Sequence, residues 1–314
     1  MAKIQARNVD DALFQRIEQS AMRNERSLEG EVRIALAKQY PAMPTAEITL
    51  SSREQWQKDC GRRLQAALDR LSSDGFFSDS SHNGQTQIAD WVRIARRLDI
   101  SPGVLMDCIE GVTELPHDLA ARIERQFSVN AEWLMTGEGM MFPMVILGTG
   151  SGVSWEAFFL PDDDAHYLFE LIHITGGNDD GALLILRQNE QSGVVTMGHV
   201  VSSAFSLGAR MGSGGYGALK RFLVFLNTRC RDVVMNAYVF EPPEPDVDSC
   251  TAMGQHHSIW FRNANWRSPS RWLQQILNGE DPGEWFSGGW SSVLDEIVAA
   301  RRDSESARLA ETGH

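Results

Sequence analysis

The fold of the N-terminus is decided by residues 1–40, MAKIQARNVDDALFQRIEQSAMRNERSLEGEVRIALAKQY. In its opening segment, polar and apolar residues alternate, and Lys3, Gln5 and Arg7 fall on one face. Because strand side chains alternate with a period of two, these three side chains project from one surface. Lys and Arg donate to guanine, Gln pairs with adenine, and a two-stranded β-ribbon fits the major groove. The pattern therefore predicts a strand that reads DNA.

Two amphipathic helices are predicted to follow the strand. Asp10 or Asp11 is placed to cap a first helix that runs to about Asn24, and Ser27 is placed to cap a second. The apolar stripes recur at helical spacing and comprise Leu13, Ile17 and Ala21, then Leu28, Val32 and Leu36. Forty residues bury too little surface to be stable alone. We therefore expect a dimer in which each chain gives one strand to an antiparallel pair.

The segments AKIQARN, VDDALFQRI and RSLEGEVRIAL together resemble a ribbon-helix-helix domain of the Arc/MetJ type, most closely the FitA-like antitoxin branch. The resemblance covers roughly an eighth of the chain. It implies a homodimer that inserts its ribbon into the major groove, with Lys3, Gln5 and Arg7 at the base-reading positions. It also implies that the start of the second helix, near Ser27 and Leu28, holds a DNA phosphate, which suits the helix dipole.

Length and composition indicate a globular, cytoplasmic protein of two or three domains. The chain has 314 residues. It has no apolar run of membrane-spanning length and no N-terminal signal-peptide pattern, and its four cysteines are scattered, which fits a reducing compartment. The net charge is −13, which is unusual for a DNA-binding protein. Charge is nearly balanced in residues 1–40 and strongly acidic beyond residue 145, so the C-terminal part is not expected to lie against DNA.

The predicted fold class is multidomain α+β. After the ribbon-helix-helix domain (1–40), residues 41–52, with two prolines and no clear periodicity, are predicted to form a linker. An all-α helix-turn-helix domain is predicted at 53–143, a mixed α/β regulatory or oligomerisation domain at 145–300, and a polar tail at 301–314. In the central domain, helices are predicted at about 53–71, 86–98, 102–112, 117–127 and 131–136.

The central region resembles the phage-repressor helix-turn-helix domain, called XRE or Cro/CI-like, most clearly in its end, NAEWLMTGEGMMF. The resemblance implies that 102–112 is the recognition helix. That stretch has no Lys, Arg, Gln or Asn, but contains Asp107 and Glu110. Two alternatives therefore stay open: contact with DNA, or a fold kept for packing or dimerisation. The candidate phosphate contacts are Arg93, Arg96 and Arg97, and the candidate neutral polar contacts are Ser101 and Thr113.

The region from 145 to 300 resembles no family that we can name. Strands are predicted at 166–174, 182–187, 194–201 and 232–241, and helices at 218–229, 268–279 and 290–302. A protein partner or a small ligand could bind this region. GSGGYG at 212–217 fits a dinucleotide-binding glycine pattern, but a weak preceding strand favours a glycine-rich loop.

No residue constellation supports a catalytic, cofactor or metal site. Cys230, Cys250, His256 and His257 match no established zinc spacing. Lys220 is the only lysine beyond residue 145 and follows the glycine-rich segment, so a self-cleaving Ser–Lys dyad is not expected. We therefore expect no enzymatic activity, no cofactor and no bound metal.

These patterns together predict a sequence-specific transcriptional regulator of the cytoplasm and nucleoid, acting as a repressor on double-stranded DNA. The expected assembly is a homodimer or a higher oligomer, and both resemblances are typical of phages and mobile elements. The alternatives are an antitoxin of a toxin–antitoxin pair, or a partition or architectural DNA-binding protein of a mobile element.

Overall fold

The computed structural model describes residues 7–40, 50–77, 88–148, 152–200, 204–207, 213–243, 253–283 and 289–312. The chain divides into two compact units, Met1–Ser51 and Ser52–His314. The predicted linker at 41–52 falls almost entirely outside the described residues.

The first unit contains the two predicted helices, α1 (Asp11–Arg23) and α2 (Leu28–Gln39). Asp10 is the cap of α1, because its Oδ2 accepts a hydrogen bond from the Leu13 amide at 3.0 Å. Ser27 caps α2 in the same way, with its Oγ accepting from the Gly30 amide at 3.1 Å. The two caps fix where each helix begins, and they confirm the predicted starts.

The second unit begins with a layer of helices whose ranges closely follow the predicted ones. They are α3 (Ser52–Ser73), α4 (Ile88–Arg97), α5 (Pro102–Ile109), α6 (His117–Phe127) and α7 (Ala131–Thr136). Their apolar faces meet in a shared core, in which Leu64, Leu105 and Ile123 are almost completely buried.

Gly61 sets how closely α3 approaches the end of α5. A Cβ at this position would lie 2.3 Å from the carbonyl oxygen of Ile109 and 2.7 Å from that of Cys108. Both are backbone atoms, which cannot move aside as a flexible side chain can. The contact between α3 and α5 therefore requires a glycine at this position.

A mixed six-stranded sheet follows. The strands are β1 (Met144–Leu147), β2 (Tyr167–Ile174), β3 (Leu183–Asn189), β4 (Val195–Val200), β5 (Val234–Phe240) and β6 (Arg267–Pro269). Their order is β1-β4-β3-β2-β5-β6. The pairs β1–β4 and β2–β5 are parallel, and the other three pairs are antiparallel. The four longer strands were predicted, whereas the two short edge strands, β1 and β6, were not.

Helices cover both faces of this sheet. In β2 and β3 successive side chains alternate between the faces, so Ile172 and Leu184 enter the core shared with α3–α7, while Leu171 and Leu183 enter a second core. The second core is closed by α8 (Trp155–Phe159), α9 (Ser213–Arg229), α10 (Trp272–Leu277) and α11 (Ser291–Thr312). Because both faces of the sheet are buried, the central strands appear in the sequence as nearly continuous apolar runs.

The sequence predicted separate domains at 53–143 and 145–300, but the structure places both in one compact unit. The physical reason is the shared core, in which buried side chains of the helical layer and of the sheet belong to one cluster. Phe127 of α6 and Phe240 of β5 belong to the same buried cluster.

The buried carboxylate of Asp74, just beyond α3, joins the helical layer to the segment that packs on the sheet. Its Oδ2 accepts from the His257 amide at 2.7 Å, and its Oδ1 lies 2.7 Å from His256 Nδ1. Asp74 is only 8% exposed. Further along the same segment, Arg262 Nε donates to Glu170 Oε2 of β2 at 3.0 Å. Polar contacts thus run from the end of α3 to the middle of the sheet.

Helix α11 continues well past the predicted boundary at 300, so the predicted polar tail at 301–314 is wrong as far as Thr312. The reason is a pair of ion contacts that the sequence does not reveal. Glu305 pairs with Arg301 one turn before it and with Arg231, just after α9. These contacts hold the polar end of the helix against the rest of the unit.

Replacing Gly61 tests the close contact between α3 and α5. Gly61→Ala should lower the free energy of unfolding by about 2–3 kcal/mol, because the new methyl group overlaps backbone carbonyl oxygens. The matched control is Gly103→Ala in α5, where the nearest atom to a new Cβ is Ser101 Oγ at 3.7 Å. Urea unfolding followed by circular dichroism measures both. Equal effects of the two substitutions would contradict the packing described.

Two buried histidines should make the unit less stable in acid. Burial lowers the pKa of His173 to about 4, and burial together with nearby Arg262 and Arg97 lowers that of His257 to about 4. Above pH 6.5 both are neutral in the folded and unfolded chains. Between pH 6.5 and 4 only the unfolded chain takes up these protons, so stability falls by up to about 3 kcal/mol per histidine.

Nuclear magnetic resonance titration of the imidazole Hε1 signals measures these two pKa values directly. We expect two of the signals to keep their neutral shifts down to about pH 5. Each of the variants His173→Gln and His257→Gln should lack one of these signals, and the missing signal is thereby assigned to the replaced histidine. Midpoints near 6.5 for both residues would rule out the buried neutral state.

Candidate nucleic-acid interface

The ribbon residues are only partly within the described part of the chain. Lys3 and Gln5 lie outside the described residues, and Arg7 is the first residue that the structure describes. Arg7 is exposed. It is followed by Asn8 in the left-handed region, with φ 58°, a conformation that Asn tolerates better than most residues. This turn leads the chain to Asp10 and α1.

The start of α2 presents free backbone donors. The first intrahelical hydrogen bond runs from the Glu31 amide to the Ser27 carbonyl at 3.0 Å, and Ser27 Oγ accepts a hydrogen bond from the Gly30 amide. The helix therefore supplies no acceptor for the amides of Leu28 and Glu29. Together with the positive end of the helix dipole, these amides can receive an anion such as a phosphate oxygen. Ser27 itself acts as the cap, and Leu28 is 37% exposed.

Two carboxylates lie in the first turn of α2, where they would repel a phosphate if they were unpaired. Glu29 pairs with Arg33, with Oε1 2.6 Å from Nη2. Glu31 accepts from Ser20 Oγ at 2.7 Å and from Asn24 Nδ2 at 2.9 Å, which also ties α2 to α1. Both acids thus have donors, and their repulsion of an approaching phosphate is reduced.

The sequence analysis did not detect the contacts of Glu31. Ser20 and Asn24 precede it by 11 and 7 residues, on a different helix. Such a contact exists only once α1 and α2 have packed, so sequence spacing within one helix gives no signal for it.

The helices of the first unit leave most of their apolar side chains at the surface. Among the described residues of this unit, Ala21 is the only fully buried one. The large apolar side chains that are more than a third exposed are Val9, Leu13, Phe14, Met22, Leu28, Ile34, Leu36 and Tyr40. Three of these belong to the predicted stripes. Exposed apolar surface of this extent is typical of a face that packs against another surface.

The arginines of α4 have different surroundings. Arg93 is exposed and pairs with Asp90, with Nη1 3.6 Å from Oδ1. Arg96 is exposed. The guanidinium of Arg97 lies over the rings of Phe76 and Phe127, 5.0 and 5.2 Å from their centroids. Arg97 therefore has a packing role whether or not it also meets a phosphate.

The predicted recognition helix, α5, does not present a basic face. Its exposed positions include Val104, Asp107 and, at its end, Glu110. Ser101 precedes α5 and is exposed, without a capping hydrogen bond from its side chain. Thr113 Oγ1 lies 3.5 Å from Cys108 Sγ, a contact within its own turn. The structure brings no cationic side chain from α5 itself to this surface.

The glycine-rich segment at 212–217 is not a loop over most of its length. Helix α9 begins at Ser213, so Gly214, Gly215 and Gly217 lie within the helix. This corrects the expectation of a glycine-rich loop. A dinucleotide-binding segment needs these glycines in the turn between a strand and a helix, and that geometry is not present.

Three of the four candidate metal residues lie within the described part of the chain. Cys230 is completely buried, and burial raises the pKa of its thiol to about 12. His256 and His257 both contact Asp74, and Cys250 lies outside the described residues. Within the described ranges, no group of three His, Cys, Asp or Glu side chains is placed to hold a metal ion.

No helix in the described part of the chain is both long and apolar enough to cross a membrane.

Comparison with known proteins supports the N-terminal assignment. Residues 2–40 match the family model of the FitA-like antitoxin ribbon-helix-helix. No curated protein and no solved structure matches the chain. The matched range contains Lys3, Gln5 and Arg7 as well as α1 and α2. The match supports a ribbon-helix-helix domain at the N-terminus.

Proposed function

We propose that this protein is a dimeric, sequence-specific regulator of transcription that reads the major groove with its N-terminal ribbon. The observation that carries the proposal is the match of residues 2–40 to a ribbon-helix-helix family. Repression by occlusion of a promoter is the simplest mode, because a bound dimer blocks access to the duplex beneath it. The protein would act in the cytoplasm on the nucleoid, as a binding protein without enzymatic activity.

Dimerisation is supported by the apolar surface of α1 and α2. Side chains such as Phe14 and Ile34 are 44% and 45% exposed in the single chain. Covering them against a second copy removes apolar area from water at about 25 cal/mol per Å². A two-fold arrangement also pairs the two N-terminal strands, which a lone strand cannot do.

DNA contact divides between two groups of residues. Lys3, Gln5 and Arg7 would meet base edges, because their side chains combine the donors and acceptors that distinguish guanine and adenine. The amides at the start of α2, beside Ser27 and Leu28, would hold a backbone phosphate and set the depth of the ribbon in the groove. Glu29 pairs with Arg33 at 2.6 Å, and Glu31 Oε2 lies 3.8 Å from Arg26 Nη1. These ion pairs support the second contact, because they offset acidic charge at the phosphate position.

The proposed function does not include contacts between α5 and the DNA bases. Its exposed Asp107 and Glu110 would repel the phosphates on either side of a groove. The phage-repressor resemblance of 53–143 therefore supports a packing or assembly role. Arg93 and Arg96 stay candidates for an accessory phosphate contact only.

An antitoxin is the second candidate function, and the description of the matched family favours it. In that case the rest of the chain would hold a toxin and the ribbon would control the genes of the pair. A partition or architectural protein of a mobile element stays a further alternative. A single short palindromic footprint supports the regulator or the antitoxin, whereas long arrays support a coating protein. Co-purification with a small nuclease separates the first two.

Removing the ribbon side chains tests the proposal. The full chain is used to select duplexes from a random library, and the affinity for the selected duplex is measured by fluorescence anisotropy. The variant Lys3→Ala/Gln5→Ala/Arg7→Ala should lose sequence-specific binding by at least a hundredfold, because each lost base contact costs roughly 1–3 kcal/mol. For the unaltered chain, affinity should fall steeply with added salt.

The matched control is Arg93→Ala/Arg96→Ala, which removes exposed cationic charge from the second unit. It should retain sequence preference and weaken binding only slightly. Unchanged circular dichroism spectra show that both variants are folded. If the ribbon variant keeps its affinity while the α4 variant loses it, the ribbon is not the reading element.

A further inference from the structure

A cavity of about 500 Å³ opens in the second unit, where the end of α9, strand β5 and helix α10 meet, with Arg301 of α11 at its wall. The volume is in the range of pockets that take small organic molecules. It lies on the side of the sheet that faces the second core, since Leu226, Cys230 and Leu273 line it. Neither the ribbon nor the DNA-binding proposal accounts for this cavity.

The floor of the cavity is apolar except for one amide. Leu226 and Cys230 are almost completely buried, and so is Asn227, at 4% exposed. Asn227 Nδ2 donates to the Ile297 carbonyl at 3.4 Å, which orients its side chain. The rim is polar, with Ser270, Gln274 and Asn278 lining it. A ligand with a polar body and a small apolar contact area suits such a surface.

Three arginines, Arg231, Arg271 and Arg301, line the cavity, and its lining contains no Asp or Glu. This is unusual in a chain whose net charge is −13. The three arginines come from different parts of the sequence, one after α9, one before α10 and one from α11. The fold brings cationic side chains together on one concave surface.

Glu305 holds two of the three arginines in place. Its Oε1 accepts from Arg301 Nε at 3.3 Å and also pairs with Arg231. Arg301 Nη1 is further fixed by the Leu277 carbonyl at 3.4 Å. Fixed guanidinium groups lose little conformational freedom when they bind an anion, so the site is organised in advance.

The net charge around the cavity is positive. Glu305 offsets one of the three guanidinium charges. The C-terminal ends of α9 and α10 also line the cavity, and each contributes at most about half a negative charge. Since three full positive charges exceed these contributions combined, an anion entering the cavity is attracted rather than repelled.

We propose that this cavity binds a small organic anion, with its carboxylate or phosphate group between Arg231, Arg271 and Arg301 and its polar body against Gln274 and Asn278. Guanidinium groups recognise both kinds of anion through paired, charge-assisted hydrogen bonds. The site lies in the second unit and does not depend on the DNA-binding proposal.

Isothermal titration calorimetry of the full chain tests the proposal with two probes, citrate for the carboxylate source and adenosine monophosphate for the phosphate source. At least one should bind saturably, with one molecule per chain. Adenosine, which lacks the anion, and sodium chloride at matched ionic strength should give no saturable heat. Whichever probe binds more tightly identifies the preferred anionic group.

The variant Arg271→Gln locates the site. Arg271 is exposed and makes no ion pair with another described residue, so the fold should survive its replacement. Loss of one charge-assisted hydrogen bond should weaken binding roughly tenfold. The matched control, Arg302→Gln, removes an equal charge from an exposed position of α11 that does not line the cavity, and should leave affinity unchanged.

Three results would overturn the proposal. The first is no saturable binding of either probe up to about 10 mM, a concentration that covers weak but specific ligands. The second is equal affinity for the Arg271→Gln variant and the unaltered chain, with both shown to be folded by thermal unfolding. The third is binding of adenosine as tightly as its monophosphate.

Discussion

The central physical constraint of the N-terminal unit is its apolar surface, most of which is exposed in a single chain. Its two helices are well capped and joined by the contacts of Glu31 with Ser20 and Asn24, yet Leu13, Phe14 and Ile34 stay exposed. Secondary structure is thus set locally, and in the proposed dimer a second copy would cover this apolar surface. In the proposed dimer, pairing of the two N-terminal segments would turn a lone strand into a ribbon.

The second unit buries its apolar side chains within a single chain. Its sheet is buried on both faces, and the contact of Asp74 with the segment of His256 and His257 ties the helical layer to it. The protein thereby combines a small unit that needs a partner with a larger one that has two cores of its own. Acidic charge is concentrated in the larger unit, so under the proposed function this unit would not compete for the duplex.

Local patterns predicted the long strands and most of the helices, because apolar periodicity and capping residues act over a few positions. The short helix α8 was not predicted. The starts of α1 and α2 followed from Asp10 and Ser27. Sequence reasoning missed features that exist only after distant segments meet. The shared core across residues 143–145, the extension of α11 by Glu305 and Arg231, and the convergence of three arginines are of this kind. The ribbon residues Lys3 and Gln5 lie outside the described residues and stay predictions.

The mass of the full-length chain in solution, measured by sedimentation equilibrium, tests the central claim most directly. The account predicts a particle of two chains, twice 35.0 kDa. It also predicts that Ile34→Asp/Leu36→Asp, which places charge on the exposed side of α2, shifts the mass to that of one chain. A single-chain mass for the unaltered protein, or an unchanged mass for this variant, would contradict dimerisation through the N-terminal helices and with it the paired ribbon.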